Sequence, residues 1–279
     1  MAIRLKREID PGDAIRALDE AAGDLENRRS WGNDAAGIRN QYLQWVGAGH
    51  RIFLQYLGLA RADELIHSTF YWYVLTMNTG DPRAGGQLYQ GMTNEALRMR
   101  QLVAELKALD SVLGGPPGWL TAVVDTNALV QVKPPWDVDW AKLLSAERVC
   151  LLLPLRVVEE LDKFKYGKER RISQVARNLL PQLEARLTED NGTMIKVNER
   201  LIIKVPILPG ERDRTLHADE EILRLCEDTK QFGKQAVVLV TADTAMRIQA
   251  RARGIRAIGL PADVRRMATP ELEAQPPET

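Results

Sequence analysis

The chain has 279 residues, 45% hydrophobic and 27% charged, ordinary values for a protein with a packed core. Lys and Arg together number 38, as do Asp and Glu, so net charge is zero and a histone-like binder is excluded, though a local basic face is not. No apolar run approaches the ~18 residues of a bilayer span, the start MAIRLKREID has no signal-peptide apolar stretch, and two cysteines make neither a disulfide framework nor a zinc cluster.

These features predict a reducing, cytoplasmic compartment without membrane attachment. Residues 1–113 are expected to form an all-α helical domain. Asp10-Pro11 is a helix start with Pro at the first helical position, and Ile15, Leu18, Ala22 and Leu25 follow at helical spacing. Residues 34–58 carry Ile38, Tyr42, Trp45, Phe53 and Leu57, and residues 61–77 carry Leu65, Phe70, Trp72 and Val74. A loop at Gly80–Gly86 and a helix from about Thr93 to Leu113 complete the domain. Ten of the sixteen aromatic residues lie here, Trp31, Tyr89 and the tract Phe70-Tyr71-Trp72-Tyr73 among them, which opens two readings. They are the core of a bundle, or they are stacking platforms for single-stranded nucleic acid. Helical periodicity places most rings on one face and favours the core. The domain's role is not legible beyond an expected protein partner or self-association.

Gly114-Gly115-Pro116-Pro117-Gly118 continues neither helix nor strand and reads as a linker, residues 114–118. Beyond it, short β-branched runs (122–125, 149–153, 194–205, 236–241 and 256–260) alternate with helical stretches at about 138–145, 155–186, 218–231 and 244–253. Such alternation predicts an α/β domain, residues 119–267, with a mainly parallel sheet covered on both faces. The run 194–205 alternates in the manner of an inserted hairpin. Residues 268–279 read as a disordered tail.

Ligands of open parallel sheets bind beyond the carboxyl ends of the strands. The run ending at Val124 leads into Asp125-Thr126-Asn127, and Val237–Val240 leads into Thr241-Ala242-Asp243. If these strands are neighbours, a spacing of about 4.8 Å lets Asp125 and Asp243 share a divalent ion. Glu159, Glu160 and Asp162 follow the second strand, and Asp219, Glu220 and Glu221 open the helix before Val237. Crowded carboxylates raise one another's pKa unless a cation neutralises them. Oxygen ligands suit Mg²⁺ or Mn²⁺, which acidify water and stabilise the leaving oxygen of a phosphodiester. Each acid also has a plain structural explanation. Asp125 starts a turn, Asp219 to Glu221 complement a helix dipole, Glu159 to Asp162 pair with Lys163 and Lys165, and Asp243 caps a helix. Convergence of four separate segments on one sheet edge weighs against all four explanations together.

The ordered motifs VVDTNAL, LLLPLRVVEELDKFK, HADEEIL and VVLVTADTAMRIQARARGI resemble a PIN-domain nuclease over roughly residues 120–262. The resemblance implies a three-layer α/β/α fold and Mg²⁺- or Mn²⁺-dependent endonucleolytic cleavage of RNA, expected to be single-stranded. It assigns catalytic and metal-binding roles to Asp125, Glu160, Asp219 and Asp243, with Asn127 and Thr241 in support. Periodicity does not choose between Glu159 and Glu160, nor spacing between Asp219 and Glu220; the family pattern favours Glu160 and Asp219. The first 118 residues match no part of it.

A basic run of Lys163, Lys165, Lys168, Arg170, Arg171 and Arg177 follows Glu160 and suits a polyanion held beside an acidic site, although charge runs are commonly solvated faces. Arg247 is placed to reach a phosphate, whereas Arg251 and Arg253 read as solubilising. Cys150 and Cys226 read as packed thiols. His217 is the histidine nearest the acids, and none is assigned as general base. Competing readings are a catalytically inactive PIN fold used for interaction or RNA binding, a DNA nuclease, and a haloacid-dehalogenase-like phosphatase. The last needs a second aspartate where this chain has Asn127.

Overall fold

The computed structural model describes residues 5–6, 8–28, 34–189, 192–208, 217–233, 235–261 and 264. Two compact units part between Gly114 and Gly115. The predicted tail, 268–279, lies outside the described residues, as does Trp31. Among the described residues, no helix is long and apolar enough to cross a membrane.

The first unit contains α1 (Pro11–Arg28), α2 (Ala35–Tyr56), α3 (Leu59–Ile66), α4 (Thr69–Thr76) and α5 (Ala84–Leu113). Helix α1 begins at the Pro that the sequence marks, and Asp34 caps α2 by accepting from the Gly37 N–H at 2.7 Å. The expected helix over 61–77 is instead two helices. Ser68 interrupts it, and its Oγ accepts from the Tyr71 N–H at 3.2 Å to start α4. Helix α5 starts well before Thr93, because Gly85, Gly86 and Gly91 lie inside it. Gly91 has a packing reason: a Cβ there would come within 1.9 Å of the Phe70 ring. The aromatics divide. Tyr42, Trp45 and Phe53 are buried, and the Trp45 indole N–H donates to the Ala21 carbonyl at 2.8 Å. Trp72, Tyr73 and Tyr89 are exposed, so the bundle-core reading holds for Tyr42, Trp45 and Phe53 of α2 and not for these three.

The second unit runs β1 (Leu120–Val124), α6 (Thr126–Gln131), α7 (Trp140–Leu144), β2 (Val149–Leu152), α8 (Leu155–Phe164), α9 (Arg170–Glu189), β3 (Met194–Asn198), β4 (Leu201–Lys204), α10 (Ala218–Phe232), β5 (Val237–Val240), α11 (Thr244–Ala252) and β6 (Arg256–Ile258). The six strands form one sheet in the order β3-β4-β2-β1-β5-β6, parallel except for the β3–β4 hairpin at one edge. Every residue of β2 and β5 is buried, which requires cover on both faces. The single helix expected over 155–186 is two. It breaks after Phe164, where the Lys165 carbonyl accepts from Ser173 Oγ at 2.7 Å and Arg177 Nε at 2.9 Å. Part of the predicted linker is held: Gln235 Nε2 donates to the Pro116 carbonyl at 2.7 Å, and Gln235 Oε1 accepts from Thr121 Oγ1 at 2.9 Å.

Candidate active site

Strands β1 and β5 are neighbours with Val124 opposite Val240, so the next residues, Asp125 and Thr241, emerge side by side. Asp125 is only 3% exposed. Its Oδ1 accepts from the Ala128 N–H at 2.6 Å, capping α6, and its Oδ2 accepts from the Thr241 hydroxyl. Thr241 Oγ1 in turn accepts from the Asp243 N–H at 3.0 Å, while Asp243 Oδ1 caps α11 through the Met246 N–H at 3.0 Å. The structural explanations of Asp125 and Asp243 are thus real features, and they orient both carboxylates. A strand end that caps the following helix points its acid where the sheet opens.

A cavity of about 340 Å³ opens at this edge, lined by Asp125, Thr126, Asn127, Glu160, Lys163, Phe164, Asp219 and Ile222. Three acids from β1, α8 and α10 therefore meet at one cavity, with Lys163 as its cation. Burial pushes the Asp125 carboxyl up to about 6, and the negative charges of Asp219 and Asp243 push the same way, against hydrogen bonds from Thr241 and Ala128. Asp243 does not line the cavity but sits close enough to act on Asp125 through its charge. The structure also separates the ambiguous pairs. Glu160 lines this cavity and Glu159 does not. Glu220 is turned away: Arg253 at 2.5 Å and Arg224 at 2.8 Å hold its carboxyl down at about 2. Asp219, one residue earlier, faces the cavity.

Two neighbours of Glu160 escaped the sequence reading. Thr126 Oγ1 donates to Glu160 Oε2 at 2.5 Å. Arg156, one helical turn before Glu160, brings its Nε to 3.6 Å from Glu160 Oε1, and that buried nitrogen has no hydrogen-bond partner. A Thr after an Asp and an Arg four residues before a Glu are signals only once the fold is known. Of the other predicted cations, Lys165 pairs with Asp162 at 2.8 Å, and Lys168, Arg170 and Arg171 are exposed beside the start of α9. Arg247 donates to the Thr241 carbonyl at 3.0 Å and to Thr244 Oγ1 at 2.7 Å, clamping the loop that carries Thr241. His217 is exposed at the N-terminus of α10. Both cysteines are buried, which raises both thiols, Cys150 to about 11, and keeps them unreactive.

The donor set is all oxygen, as hard divalent cations require. Among the described residues, no three His, Cys, Asp or Glu side chains are already gathered tightly enough to hold a metal ion. Asp219 is exposed, whereas Glu160 is partly buried and held by Thr126 and Arg156.

Residues 122–260 match the family model of the PIN domain, and the second unit of this chain is a PIN domain, a nuclease-type fold. Residues 1–121 fall outside the match. No curated protein matches the chain. Among solved structures, a domain of a functionally unknown protein from Methanocaldococcus jannaschii is similar at 21% identity, covering 51% of this chain and 91% of that one, with a TM-score of 0.33.

Proposed function

We propose that the chain is a metal-dependent ribonuclease that cuts single-stranded RNA internally at the cavity formed by Asp125, Glu160 and Asp219. The observation that carries this reading is the meeting of three acids from three separate elements at the carboxyl edge of β1, with Asp125 buried and its carboxyl raised. A carboxyl raised by its own burial and by neighbouring negative charge, as Asp125 is, is one whose ionised form a cation stabilises. Asp125, Glu160 and Asp219 would hold Mg²⁺ or Mn²⁺, with the Asp243 charge beside them; when bound, such an ion supplies Lewis acidity and acidified water.

The chain's own residues do the positioning. Thr241 and the Ala128 N–H fix Asp125, Thr126 orients Glu160, and Asn127 adds a polar group to the cavity. Lys163 is placed to draw a phosphate to the acids, and Lys168, Arg170 and Arg171 extend positive charge along the approach. The test is purified protein with labelled single-stranded RNA, duplex RNA and single-stranded DNA, in Mg²⁺, Mn²⁺ or chelator. Expected is internal cleavage of single-stranded RNA that chelator abolishes, with binding that loses salt dependence when Lys163, Arg170 and Arg171 become Gln. RNA binding without cleavage in any metal would overturn the enzymatic reading and leave an RNA-binding PIN domain.

A further inference from the structure

Helix α8 separates the acidic cavity from a second, larger depression of about 650 Å³ on its other flank. At about 100° per residue, Glu160 and Phe164 fall on the first flank and Val158 and Asp162 on the second. Lys163 falls between, and it lines both. The two depressions are therefore consecutive stations along one surface, with a cation at their shared rim. Val158, Leu180, Leu183 and Leu187 give the second an apolar lining, with Glu184 beside them. Its volume lies in the range of small-ligand pockets, roughly 300–1,000 Å³.

A polyanion whose phosphate is drawn to Lys163 and the acids carries its next nucleotide over this depression. Apolar side chains offer a surface to the face of a base, and a carboxylate accepts hydrogen bonds from its edge. Asp162 is already engaged by Lys165 at 2.8 Å, and Glu159 faces Arg156 Nη1 at 3.8 Å. Glu184, exposed on α9, is the third carboxylate of the lining; it feels the charge of Lys165, which also lines the depression, but unlike Asp162 forms no ion pair with it. Two carboxylate oxygens match two adjacent donors, and among the RNA bases guanine alone presents such a pair, N1–H beside N2–H₂.

We propose that the depression between α8 and α9 is a base subsite that holds guanine in the nucleotide adjoining the scissile phosphate, with Glu184 reading its N1–H and N2–H₂. The inference rests on the ribonuclease reading and gives it a substrate preference. Apolar floor, carboxylate and shared lysine serve one nucleotide, whereas an apolar peptide would leave the lysine unused.

The test uses the full chain as Asp125→Asn, to suppress cleavage, with fluorescein-labelled octamers of uridine that carry one central guanosine or none. Anisotropy is expected to show about tenfold tighter binding of the guanosine octamer, in line with a bidentate base contact. Adding Glu184→Gln should erase that advantage and leave the uridine octamer unchanged, while adding Lys163→Gln should weaken both octamers equally. Glu184 is exposed, so its replacement does not threaten the fold, and Glu184→Ala repeats the measurement without a donor. Equal binding of both octamers, or a guanosine advantage that survives both Glu184 changes, overturns the subsite. If wild type still cleaves RNA, the ribonuclease reading stands; if it neither binds nor cleaves RNA, both fall.

Discussion

At the scale of single residues, Asp125 couples the site to stability. Its carboxyl titrates near 6 in the fold against 3.8 for an ordinary aspartate. A raised folded value means that the folded state binds the proton more tightly, so its stabilising effect is complete below about pH 4 and is lost as pH climbs through 6. In chelator at pH 7.5, Asp125→Asn should therefore unfold at higher denaturant than wild type, by on the order of 2–3 kcal/mol, and the gap should close at pH 4. Coincident denaturation curves at pH 7.5 would refute the burial account. Mn²⁺ should raise wild type by mass action and the variant less. Neighbouring acids are expected to part company. Asp219→Asn should blunt the Mn²⁺ response and leave metal-free stability nearly unchanged. Glu220→Gln should keep the response but cost about 1–2 kcal/mol at pH 7 through lost bonds to Arg253 and Arg224. Because the Glu220 carboxyl is lowered to about 2, that cost should fade as pH drops from 4.5 toward 2. A Mn²⁺ titration followed by thermal melting, run on both variants, distinguishes the two.

Legibility in the sequence also has a residue-level cause. Asp125 could be read because it directly follows an apolar β-branched run, and Asp243 because it lies three residues past another; a strand end is visible in one dimension. Glu160 and Asp219 needed the family pattern, since helical spacing gives neighbouring acids equal standing. Thr126 was invisible, because its role depends on α6 meeting α8, which no local pattern encodes, whereas the Arg156–Glu160 pair is a local i,i+4 contact of α8 that went unread. Arg247 was read as a phosphate ligand because its distance from Asp243 is right, yet its guanidinium is taken up by the loop at Thr241.

At the scale of elements, breaks were harder to see than helices. The loop expected at Gly80–Gly86 ends earlier because glycine lowers helix propensity without forbidding a helix that buries Leu88 and Met92. The glycines of α5 make a controlled pair. At Gly86 a Cβ meets nothing within 4 Å, so Gly86→Ala should stabilise by roughly 0.5–1 kcal/mol. At Gly91 the same change meets the Phe70 ring, which packs edge-on against Tyr42 at 4.9 Å between centroids. Overpacking should then outweigh propensity, and Gly91→Ala should destabilise by about 1–3 kcal/mol. Urea unfolding of both variants is the check, and a stabilising Gly91→Ala would mean that α4 and α5 do not approach so closely.

At the scale of the whole molecule, the one Gly/Pro run, Gly114 to Gly118, spans the point where the two compact units part. The sheet order was only partly legible, because pairing is a long-range property. A fragment spanning 115–279 is expected to melt cooperatively by itself, having its own sheet and buried core. A fragment starting at 119 should melt lower, since it discards the Pro116 carbonyl that Gln235 binds. Circular dichroism melts of the two fragments measure the difference, and identical midpoints would show that residues 115–118 contribute nothing.

The pairing of β1 with β5 sets a timetable for the molecule's birth. Asp125 and Thr241 are 116 positions apart in the chain, and β5 is the fifth of six strands to be made. On the ribosome, Asp125, Glu160 and Asp219 all emerge before the strand that gives Asp125 its neighbour. Until Val240 clears the exit tunnel, β1 has an open flank and Asp125 stands in water as an ordinary aspartate. Among the described residues, the candidate site is therefore completed by one of the last elements to be translated, and a growing chain still tethered to its messenger carries the acids without the wall that organises them.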